Sequence, residues 1–401
     1  MLEYLSYILC FVVAIVFTIY IYIRYKYGFW VLQPVFHIYD FGYYLNAPGI
    51  IDDSLPKKNK YTNFKNIDTM LIKNITSIQK NRFNNLIKLN YLRNKDNIFS
   101  PQLDNIFPYF IGHNDKSFMT FYYEDTHMVD TKTGNMVTDR EIIGAITSRP
   151  LKIVINNDKN NKNTNFVAYY VDYLCVNKLH RKKGIAPQLI QTHNYNQRHM
   201  NKNIVVSLFK REDELTGIVP LCVYLTYGFP VDKWTKPIDL SCEYKLLEIN
   251  QQNIRYLYDF IKMNSDKFDI IITSEITNIL ELIKTKNIYL YVILCDENIL
   301  CCYFFRKSCV QIEKGLEVLS CFASICDCDT DIFIQGFKIS FWKIAAENYF
   351  GFAAIENISH NNIIINNIMI KTKPQIKSPT AYFLYNFAYP TFKPEKVLII
   401  N

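Results

Sequence analysis

The sequence of 401 residues has only 12 glycines and 14 prolines, which excludes a collagen-like or low-complexity architecture. It also lacks a large excess of charge. Since 20% of its residues are charged and 49% are hydrophobic, as in ordinary globular proteins, general disorder is excluded. The net charge of +8 is compatible with a membrane surface or a phosphate-bearing cofactor, but it is too diffuse to indicate nucleic acid as a partner. At about 150 residues per domain, the length predicts two or three domains.

Metal-binding motifs are also lacking. The 11 cysteines include no C-x-x-C pair, so the sequence predicts no zinc site and no metal cofactor. Their odd number and irregular spacing favour reduced thiols that are buried as small apolar side chains in a cytosolic compartment. The sequence has no Ser-His-Asp spacing that would indicate a nucleophilic hydrolase.

One long hydrophobic run is present, and it lies at the start of the chain. Residues 4–23 contain 20 successive positions without a charge, enough for a helix to span the ~30 Å hydrocarbon core of a lipid bilayer. Arg24 and Lys26 follow the run and only Glu3 precedes it, so the positive-inside rule places the rest of the chain in the cytosol. We therefore predict a single-pass transmembrane anchor over residues 1–25.

The remaining chain shows one succession of helices and strands twice, the second time from near residue 242. This order is typical of an α/β (α+β) fold, and its repetition predicts two related halves over residues 26–245 and 246–401. The predicted helices cover 63–91, 185–200, 253–263, 274–284 and 332–349. The predicted strands cover 117–123, 141–146, 151–155, 165–176, 203–209, 288–295, 299–306, 316–325, 351–357 and 380–387.

A basic turn between a strand and a helix carries the strongest chemical signal. The backbone N–H groups at a helix N-terminus have no partners and favour an anion, and a glycine there lets the main chain approach closely. Three successive cations add charge where a pyrophosphate would lie. The pattern R-x-x-G-x-A after a strand resembles the pyrophosphate loop of coenzyme-A-dependent N-acyltransferases. The residues assigned to this site are Arg181, Lys182, Lys183, Gly184, Ile185 and Ala186.

The same segment resembles the signature of eukaryotic N-myristoyltransferases, N-F-L-C-V-H-x-x-L-R-x-K-R-x-A-P-x-L-I. The resemblance assigns Tyr173, Leu174, Cys175 and Val176 to acyl-CoA binding. Four further segments match the family in the same order, so the resemblance covers nearly the whole chain after the predicted anchor. They are F-W-x-x-Q-P-V from Phe29, N-Y at Asn90, I-G-A-I from Ile143 with Pro150, and the tail at 382–387 and 395–397.

The resemblance implies two fused acyl-CoA N-acyltransferase (GNAT-like) halves in a pseudo-twofold arrangement. The first half would bind myristoyl-CoA or another fatty acyl-CoA as co-substrate. Phe29 and Trp30 would hold its nucleotide end, and the N–H groups of Tyr173 and Leu174 would form an oxyanion hole for the thioester. The terminal carboxylate of Asn401 would act as the base that deprotonates the acceptor. The acceptor would be a peptide or protein with a free N-terminus, such as an N-terminal glycine.

Several departures from the family leave alternatives open. The family's acidic loop becomes Arg93-Asn94-Lys95-Asp96, the R-Y-W-H-R peptide motif is missing at 223–229, and only four residues follow Val397. These losses favour a non-catalytic membrane protein that retains the fold. In contrast, Gly184 and the Y-x-x-x-G-F segment indicate a short-chain N-acetyltransferase. The biased composition, the predicted anchor and the divergence indicate a large DNA virus as the source. Acyl length and acceptor stay open.

Overall fold

The computed structural model describes residues 2–26, 28–45, 49–91, 97–129, 136–156, 164–212, 217–232, 234–312 and 315–401. The first element is helix α1, Leu2–Lys26. The side chains described along it are exposed, among them Phe11 at 67% and Phe17 at 62%. Within those described ranges, no helix combines the length and the hydropathy that crossing a membrane requires. The membrane anchor therefore stays a prediction.

Nine helices and seventeen strands make up the described part of the chain. The helices after α1 are α2 Phe41–Leu45, α3 Ser77–Asn90, α4 Leu103–Ile106, α5 Ile185–Met200, α6 Ile254–Met263, α7 Ile276–Lys284, α8 Thr330–Asn348 and α9 Asn361–Lys371. The strands are β1 Gly49–Ile50, β2 Ile67–Leu71, β3 Asn97–Phe99, β4 Phe118–Val129, β5 Met136–Ile155, β6 Thr164–Val176, β7 Val206–Glu212, β8 Cys222–Pro230, β9 Tyr244–Glu248, β10 Ile270–Thr273, β11 Ile288–Cys295, β12 Asn298–Ile312, β13 Leu316–Cys326, β14 Phe350–Glu356, β15 Ile376–Tyr385, β16 Phe387–Ala388 and β17 Val397–Ile400.

One mixed sheet of 15 described strands confirms the predicted α/β class, and its strand order has a pseudo-twofold symmetry. Outward from the contact between β15 and β8, the order is β7, β6, β5 on one side and β14, β13, β12 on the other. Within these arms, β6–β7 and β13–β14 are parallel pairs, and the two strands of each pair are connected by a helix, α5 or α8. This strand order is compatible with the predicted duplication, and the two predicted halves stay a prediction.

The two halves exchange strands at the centre of this sheet. Strand β8 belongs to the predicted first half, yet it pairs with β14 of the second half. Strand β15 belongs to the predicted second half and pairs with β7 of the first half. Strand β17, at the end of the sequence, reaches the first arm through β10, which pairs with β5. The predicted boundary at residue 245 therefore divides the sequence but not the sheet.

The prediction of a helix that begins at residue 63 is wrong. Residues 67–71 instead form β2, which pairs with β4, and α3 begins only at Ser77. The physical reason is a capping box at Thr76. Its side chain accepts from the N–H of Gln79, and the Gln79 side chain accepts from the N–H of Thr76. The strands predicted over 141–146 and 151–155 are parts of the single long strand β5.

The core lies on both faces of the sheet, beneath the helices. On the first arm, Ile185 and Leu189 of α5 pack against Ile143 and Ile146 of β5. On the second arm, the phenylalanines of α8, including the fully buried Phe333, pack with the aromatic residues of β11 and β12. Burial of each such side chain contributes about 1.5–3 kcal/mol. This packing fixes the strand ends that surround the candidate site.

Candidate functional site

The predicted strand, turn and helix are present as β6, a tight turn and α5. Gly184 is the N-cap residue of α5 and has φ +75°, in the left-handed region that favours glycine. A Cβ atom added at Gly184 would meet no atom within 4 Å, and no side chain caps the helix. Lys182 and Lys183 lie exposed beside it. The first N–H groups of α5 are thus open to an anion, as the sequence analysis expects.

Arg181 has a different place from the two lysines. Its Nη2 donates to the main-chain oxygen of Asn90 at 2.6 Å, and its Nε donates to that of Val176 at 3.3 Å. Asn90 is the last residue of α3, where a cation also interacts favourably with the helix dipole. Arg181 therefore fastens the turn between β6 and α5 to the end of α3.

A β-bulge lies at the predicted oxyanion hole. In the pairing of β5 with β6, Ile146 lies opposite Leu174 and Ser148 opposite Val171, so the register shifts between them. Two residues of β6, Asp172 and Tyr173, thus occupy the position opposite Thr147. The N–H of Tyr173 donates to Thr147 Oγ1 at 3.2 Å. A thioester oxygen at this N–H would share it with the threonine hydroxyl.

A cavity of about 440 Å³ opens next to this bulge, and we call it the apolar cavity. The parallel pairing of β6 with β7 ends at Val171 and Phe209, so the two strands separate beyond that point. Leu174 lines the cavity, as does Trp30, which stacks on Phe209 with ring centroids 5.8 Å apart. The other lining residues are Tyr91, Ile146, Tyr170, Val171, Asp172, Ile190, His193, Asn194, Gln197, Ser207, Lys210, Arg211, Glu212 and Tyr385.

Neutral hydrogen-bonded side chains close the α5 side of the apolar cavity. His193 contacts Thr120 Oγ1 through Nδ1 at 2.7 Å and Ser148 Oγ through Nε2 at 2.9 Å. Ser148 in turn donates to Gln197 Oε1 at 2.7 Å. Burial lowers the pKa of His193 to about 4, so the ring is neutral at physiological pH. The sequence analysis missed this network, although His193 and Gln197 share one face of α5.

Among the predicted cofactor residues, Phe29, Cys175 and Val176 do not line the apolar cavity, and neither do the turn residues Arg181, Lys182, Lys183, Gly184, Ile185 and Ala186. Phe29 packs edge-on against Trp30 and Tyr61, each with a ring-centroid distance of 5.1 Å. Cys175 is buried in the core with Phe83, and burial raises the pKa of its thiol to about 12. Val176 packs in the core beneath α5. The structure therefore brings Trp30 and Leu174 to the wall of one cavity, whereas Phe29, Cys175 and Val176 lie behind that wall.

A second cavity of about 590 Å³ adjoins the first, and we call it the charged cavity. The two cavities share Tyr91, Tyr170, Asp172, Lys210 and Glu212 as lining residues. Tyr173 lines the charged cavity only. Strands of both halves enclose it, so it lies between the two arms of the sheet. Its other charged lining residues are Arg149, Arg306, Lys307, Glu356 and Lys377.

Two buried ion pairs lie in the charged cavity. Arg149 Nε is 3.0 Å from both carboxylate oxygens of Asp172. Burial raises the pKa of Asp172 above its ordinary value, and Arg149 opposes that shift. Lys210 Nζ is 3.1 Å from Glu356 Oε2, to which Tyr224 also donates. Burial opposes the charge of Glu356, but Lys210 and Arg306 hold its pKa below the ordinary value.

The sequence analysis missed these charged residues, although a signal for them exists. Asp172 and Glu356 each lie in a strand with mostly apolar or aromatic neighbours, and Arg149 and Lys210 also lie in strands. Charged side chains on buried strands need partners, but the chain order does not show which ones. Among the described residues, no group of three or more His, Cys, Asp or Glu side chains could hold a metal ion. The predicted change of the acidic loop at 93–96 lies outside the described residues.

Asn401, the residue predicted to supply the base, is buried with 1% of its surface exposed. Arg306 Nη2 donates to its main-chain oxygen at 2.8 Å and to its side-chain Oδ1 at 2.7 Å. Arg306 lines the charged cavity, whereas Asn401 does not line either of the two cavities. The guanidinium of Arg306 therefore engages the end of the sequence at the edge of the site.

Comparisons with known proteins agree with this geometry. Residues 56–222 match the family model of the Myristoyl-CoA:protein N-myristoyltransferase N-terminal domain. No curated protein sequence matches the chain. The match supports the resemblance read from the sequence, but neither it nor the structure bears on membrane attachment or on a viral source, which stay predictions.

Solved structures show the same fold. N-myristoyltransferase of Saccharomyces cerevisiae with bound myristoyl-CoA is similar, with a TM-score of 0.66 and 14% identity, over 91% of this chain and 94% of that chain. A second structure of the yeast enzyme with bound myristoyl-CoA has a TM-score of 0.69 and 14% identity, over 92% and 90%. A tandem GNAT protein from the clavulanic acid biosynthesis pathway is similar with a TM-score of 0.51 and 8% identity, over 81% of this chain and 100% of that chain. The chain thus has the N-myristoyltransferase fold, and its 56–222 segment matches the N-terminal domain of that family.

Proposed function

We propose that the protein is an N-acyltransferase that transfers a fatty acyl group from acyl-CoA to an N-terminal glycine or another amine of a peptide or protein. The observation that carries the proposal is the junction of the two cavities beside the bulge at Tyr173. One cavity suits an apolar chain, and the other suits a polar acceptor. The family match over residues 56–222 and the shared fold support the same activity.

The walls of the apolar cavity favour a long acyl chain over an acetyl group. Each buried methylene of such a chain contributes about 0.8 kcal/mol, whereas an acetyl group would leave most of the volume unfilled. Because its imidazole is neutral, His193 adds no charge to the part of the wall that α5 forms. We therefore assign myristoyl-CoA or another fatty acyl-CoA as co-substrate.

The predicted site residues take distinct parts in this proposal. The N-terminus of α5, from Gly184 through Ile185 and Ala186, would bind the pyrophosphate with Lys182 and Lys183, and Arg181 would hold the turn in place. Phe29 and Trp30 would contact the nucleotide end, while Cys175 and Val176 would support the strand. The N–H groups of Tyr173 and Leu174 would polarise the thioester, the first of them after displacing Thr147 Oγ1. The terminal carboxylate of Asn401 stays a prediction for the base.

A turnover assay of the full chain in detergent tests the proposal. The protein is mixed with myristoyl-CoA or acetyl-CoA and a set of peptides that begin with glycine, and both free thiol and acylated peptide are measured. We expect thiol release that matches peptide acylation with myristoyl-CoA and at most a trace with acetyl-CoA. Equal or faster acetyl transfer would favour the short-chain N-acetyltransferase instead.

Two contacts favour a second candidate, a non-catalytic protein that retains the fold. The N–H of Tyr173 is already bonded to Thr147 Oγ1, and Arg306 already binds Asn401. Both contacts would suit a site that no longer performs catalysis. Tight binding of myristoyl-CoA without turnover for any glycine-starting peptide would support this candidate and contradict the proposed transferase.

We also propose that α1 attaches the protein to a lipid bilayer. Its uncharged run and its exposed apolar side chains support this proposal. The full chain should float with phosphatidylcholine vesicles in a density gradient, and V12K with V16K should reduce flotation at least tenfold. Leu179 and Ile238 are exposed outside α1, so L179K with I238K is a control of equal charge. Equal flotation of both double variants would contradict the attachment.

A further inference from the structure

Asp172 lies where the reacting groups of the proposed transfer would meet. It lines both the apolar and the charged cavity, so a group at its carboxylate can reach either one. It directly precedes Tyr173, whose N–H faces the predicted thioester position, and both residues belong to the bulge of β6. An amine that attacks a thioester at this bulge would pass next to the Asp172 carboxylate.

The surroundings of Asp172 hold its carboxylate in one orientation. Arg149 donates from Nε to both oxygens at 3.0 Å, and its guanidinium lies 5.3 Å from the ring centroids of Tyr109 and Tyr170. The side chains of Arg149 and Asp172 are only 1% and 11% exposed. Because one N–H serves two oxygens, each oxygen keeps acceptor capacity for a further donor such as an ammonium group.

The alternative base is less well placed. Asn401 does not line either cavity, and Arg306 already donates to its main-chain oxygen. An acceptor amine in either cavity would therefore reach the Asp172 carboxylate without leaving the cavity, whereas the end of the sequence lies outside both. The signature read from the sequence has asparagine where this chain has Asp172, so a carboxylate is new at a position that already lies beside the bulge.

We propose that Asp172, and not the terminal carboxylate of Asn401, is the catalytic base that deprotonates the acceptor amine; this inference rests on the proposed acyl transfer. An Asp172 oxygen takes one proton from the acceptor ammonium. The freed nitrogen lone pair forms the N–C bond to the thioester carbonyl, whose π electrons move to oxygen. They return as the C–S bond breaks, and the coenzyme A thiolate takes the second proton from nitrogen. The first proton passes from Asp172 to solvent.

Burial supports this role, because it raises the pKa of Asp172 and so makes the carboxylate a stronger base than an exposed aspartate. The charged and titratable groups that face Asp172 come from several elements. They are Arg149 of β5, Arg306 of β12, Lys210 and Glu212 of β7, Tyr91 and Tyr109 from the chain before β4, and Tyr170 and Tyr173 of β6.

The test is single-turnover acylation of a glycine-starting peptide by the full-length protein with myristoyl-CoA bound. D172N keeps the shape of the side chain but cannot take the proton, so we expect the acylation rate to fall at least about 100-fold. The affinity for myristoyl-CoA, measured by calorimetry, should change less than about threefold. D172E should recover part of the rate, and its pH–rate profile should show an acidic limb that D172N lacks.

Two further variants keep the test decisive. Because D172N leaves Arg149 buried without its partner, R149M with D172N removes that charge, and it should show the same loss of rate. E275Q is the matched control, since Glu275 forms an ion pair with Lys152 outside both cavities and its side chain is 18% exposed. It should retain the full rate.

Adding one residue after Asn401 tests the alternative base directly. We expect that extension to keep at least about a third of the rate. Loss of turnover in the extended chain, together with full turnover in D172N, would overturn the assignment of Asp172 and leave the proposed transferase intact. No turnover by the unaltered protein, with every peptide tried, would instead contradict the proposed function and this inference with it.

Discussion

The apolar and the charged cavity adjoin at Asp172, yet they are built in different ways. The apolar cavity forms mainly between β6, β7 and α5, which follow one another within residues 164–212, and the side chains that α5 contributes to its wall are uncharged. The charged cavity draws its lining from strands of both halves, and its Lys210–Glu356 ion pair joins one half to the other. An apolar cavity needs only local packing, whereas buried charges need partners from distant parts of the chain. The acyl-CoA side of the site is thus mostly local, although Trp30, Tyr91, Ile146 and Tyr385 also line it, whereas the acceptor side is shared between the halves.

The largest effect that this comparison predicts concerns the ion pair between Lys210 and Glu356 in the charged cavity. E356L leaves Lys210 buried without its carboxylate, which should lower the free energy of unfolding by about 3–5 kcal/mol. K210M with E356L removes both charges and should recover most of that loss. Urea denaturation of the three proteins measures the difference. A loss below about 1 kcal/mol in E356L alone would show that the pair does not hold the two halves together.

The neutral wall of the apolar cavity predicts a smaller effect that depends on pH. Because burial lowers the pKa of His193 from 6.5 to about 4, the unfolded chain takes a proton between those pH values and the folded chain does not. The contribution of His193 to the free energy of unfolding is therefore fully present above pH 6.5. It falls by up to about 3 kcal/mol as the pH approaches 4.

H193Q should remove that part of the acid sensitivity, as measured by urea denaturation at pH 7 and pH 4.5. Burial also lowers the pKa values of His113 and His360 to about 4, so H193Q should retain the acid sensitivity that these two histidines cause. H199Q alters an exposed histidine and serves as the control. Identical pH dependence in H193Q and the unaltered protein would mean that His193 is not held neutral.

The smallest effect concerns the volume of the apolar cavity. I190W places a larger side chain in its wall and should displace about two methylenes of a bound acyl chain, which costs about 1.6 kcal/mol or roughly 15-fold in affinity. Acetyl-CoA binding should stay within about twofold. I370W makes the same change on the exposed face of α9 and should alter neither affinity. If I190W and the unaltered protein bound myristoyl-CoA with equal affinity, the acyl chain would not occupy the apolar cavity.

The local side of the site could largely be predicted from the sequence. Strand β6, the turn at Gly184 and helix α5 lie within one continuous segment, whose glycine, cations and apolar spacing each reflect a local requirement. The start of α3 was predicted too early, because the capping box at Thr76 begins the helix later than the apolar spacing alone indicates. Likewise, nothing in the local pattern shows that β5 runs unbroken through Arg149 and Pro150.

The charged side could not be predicted, for a physical reason. Arg149 meets Asp172 only because the bulge sets the register of β5 on β6, and Lys210 meets Glu356 only because β8 and β15 exchange between the halves. Such pairs depend on strand register over long sequence separations. The contact of Arg306 with Asn401 likewise depends on how β17 enters the sheet beside β10.

Calorimetry of the full chain in detergent with myristoyl-CoA and with acetyl-CoA tests the central claim most directly, because it needs neither an acceptor nor turnover. If the apolar cavity holds a fatty acyl chain, myristoyl-CoA should bind at least about 100-fold more tightly than acetyl-CoA, and I190W should remove most of that difference. Equal affinities for the two thioesters, or no binding of either, would contradict the assignment of this cavity to a fatty acyl group.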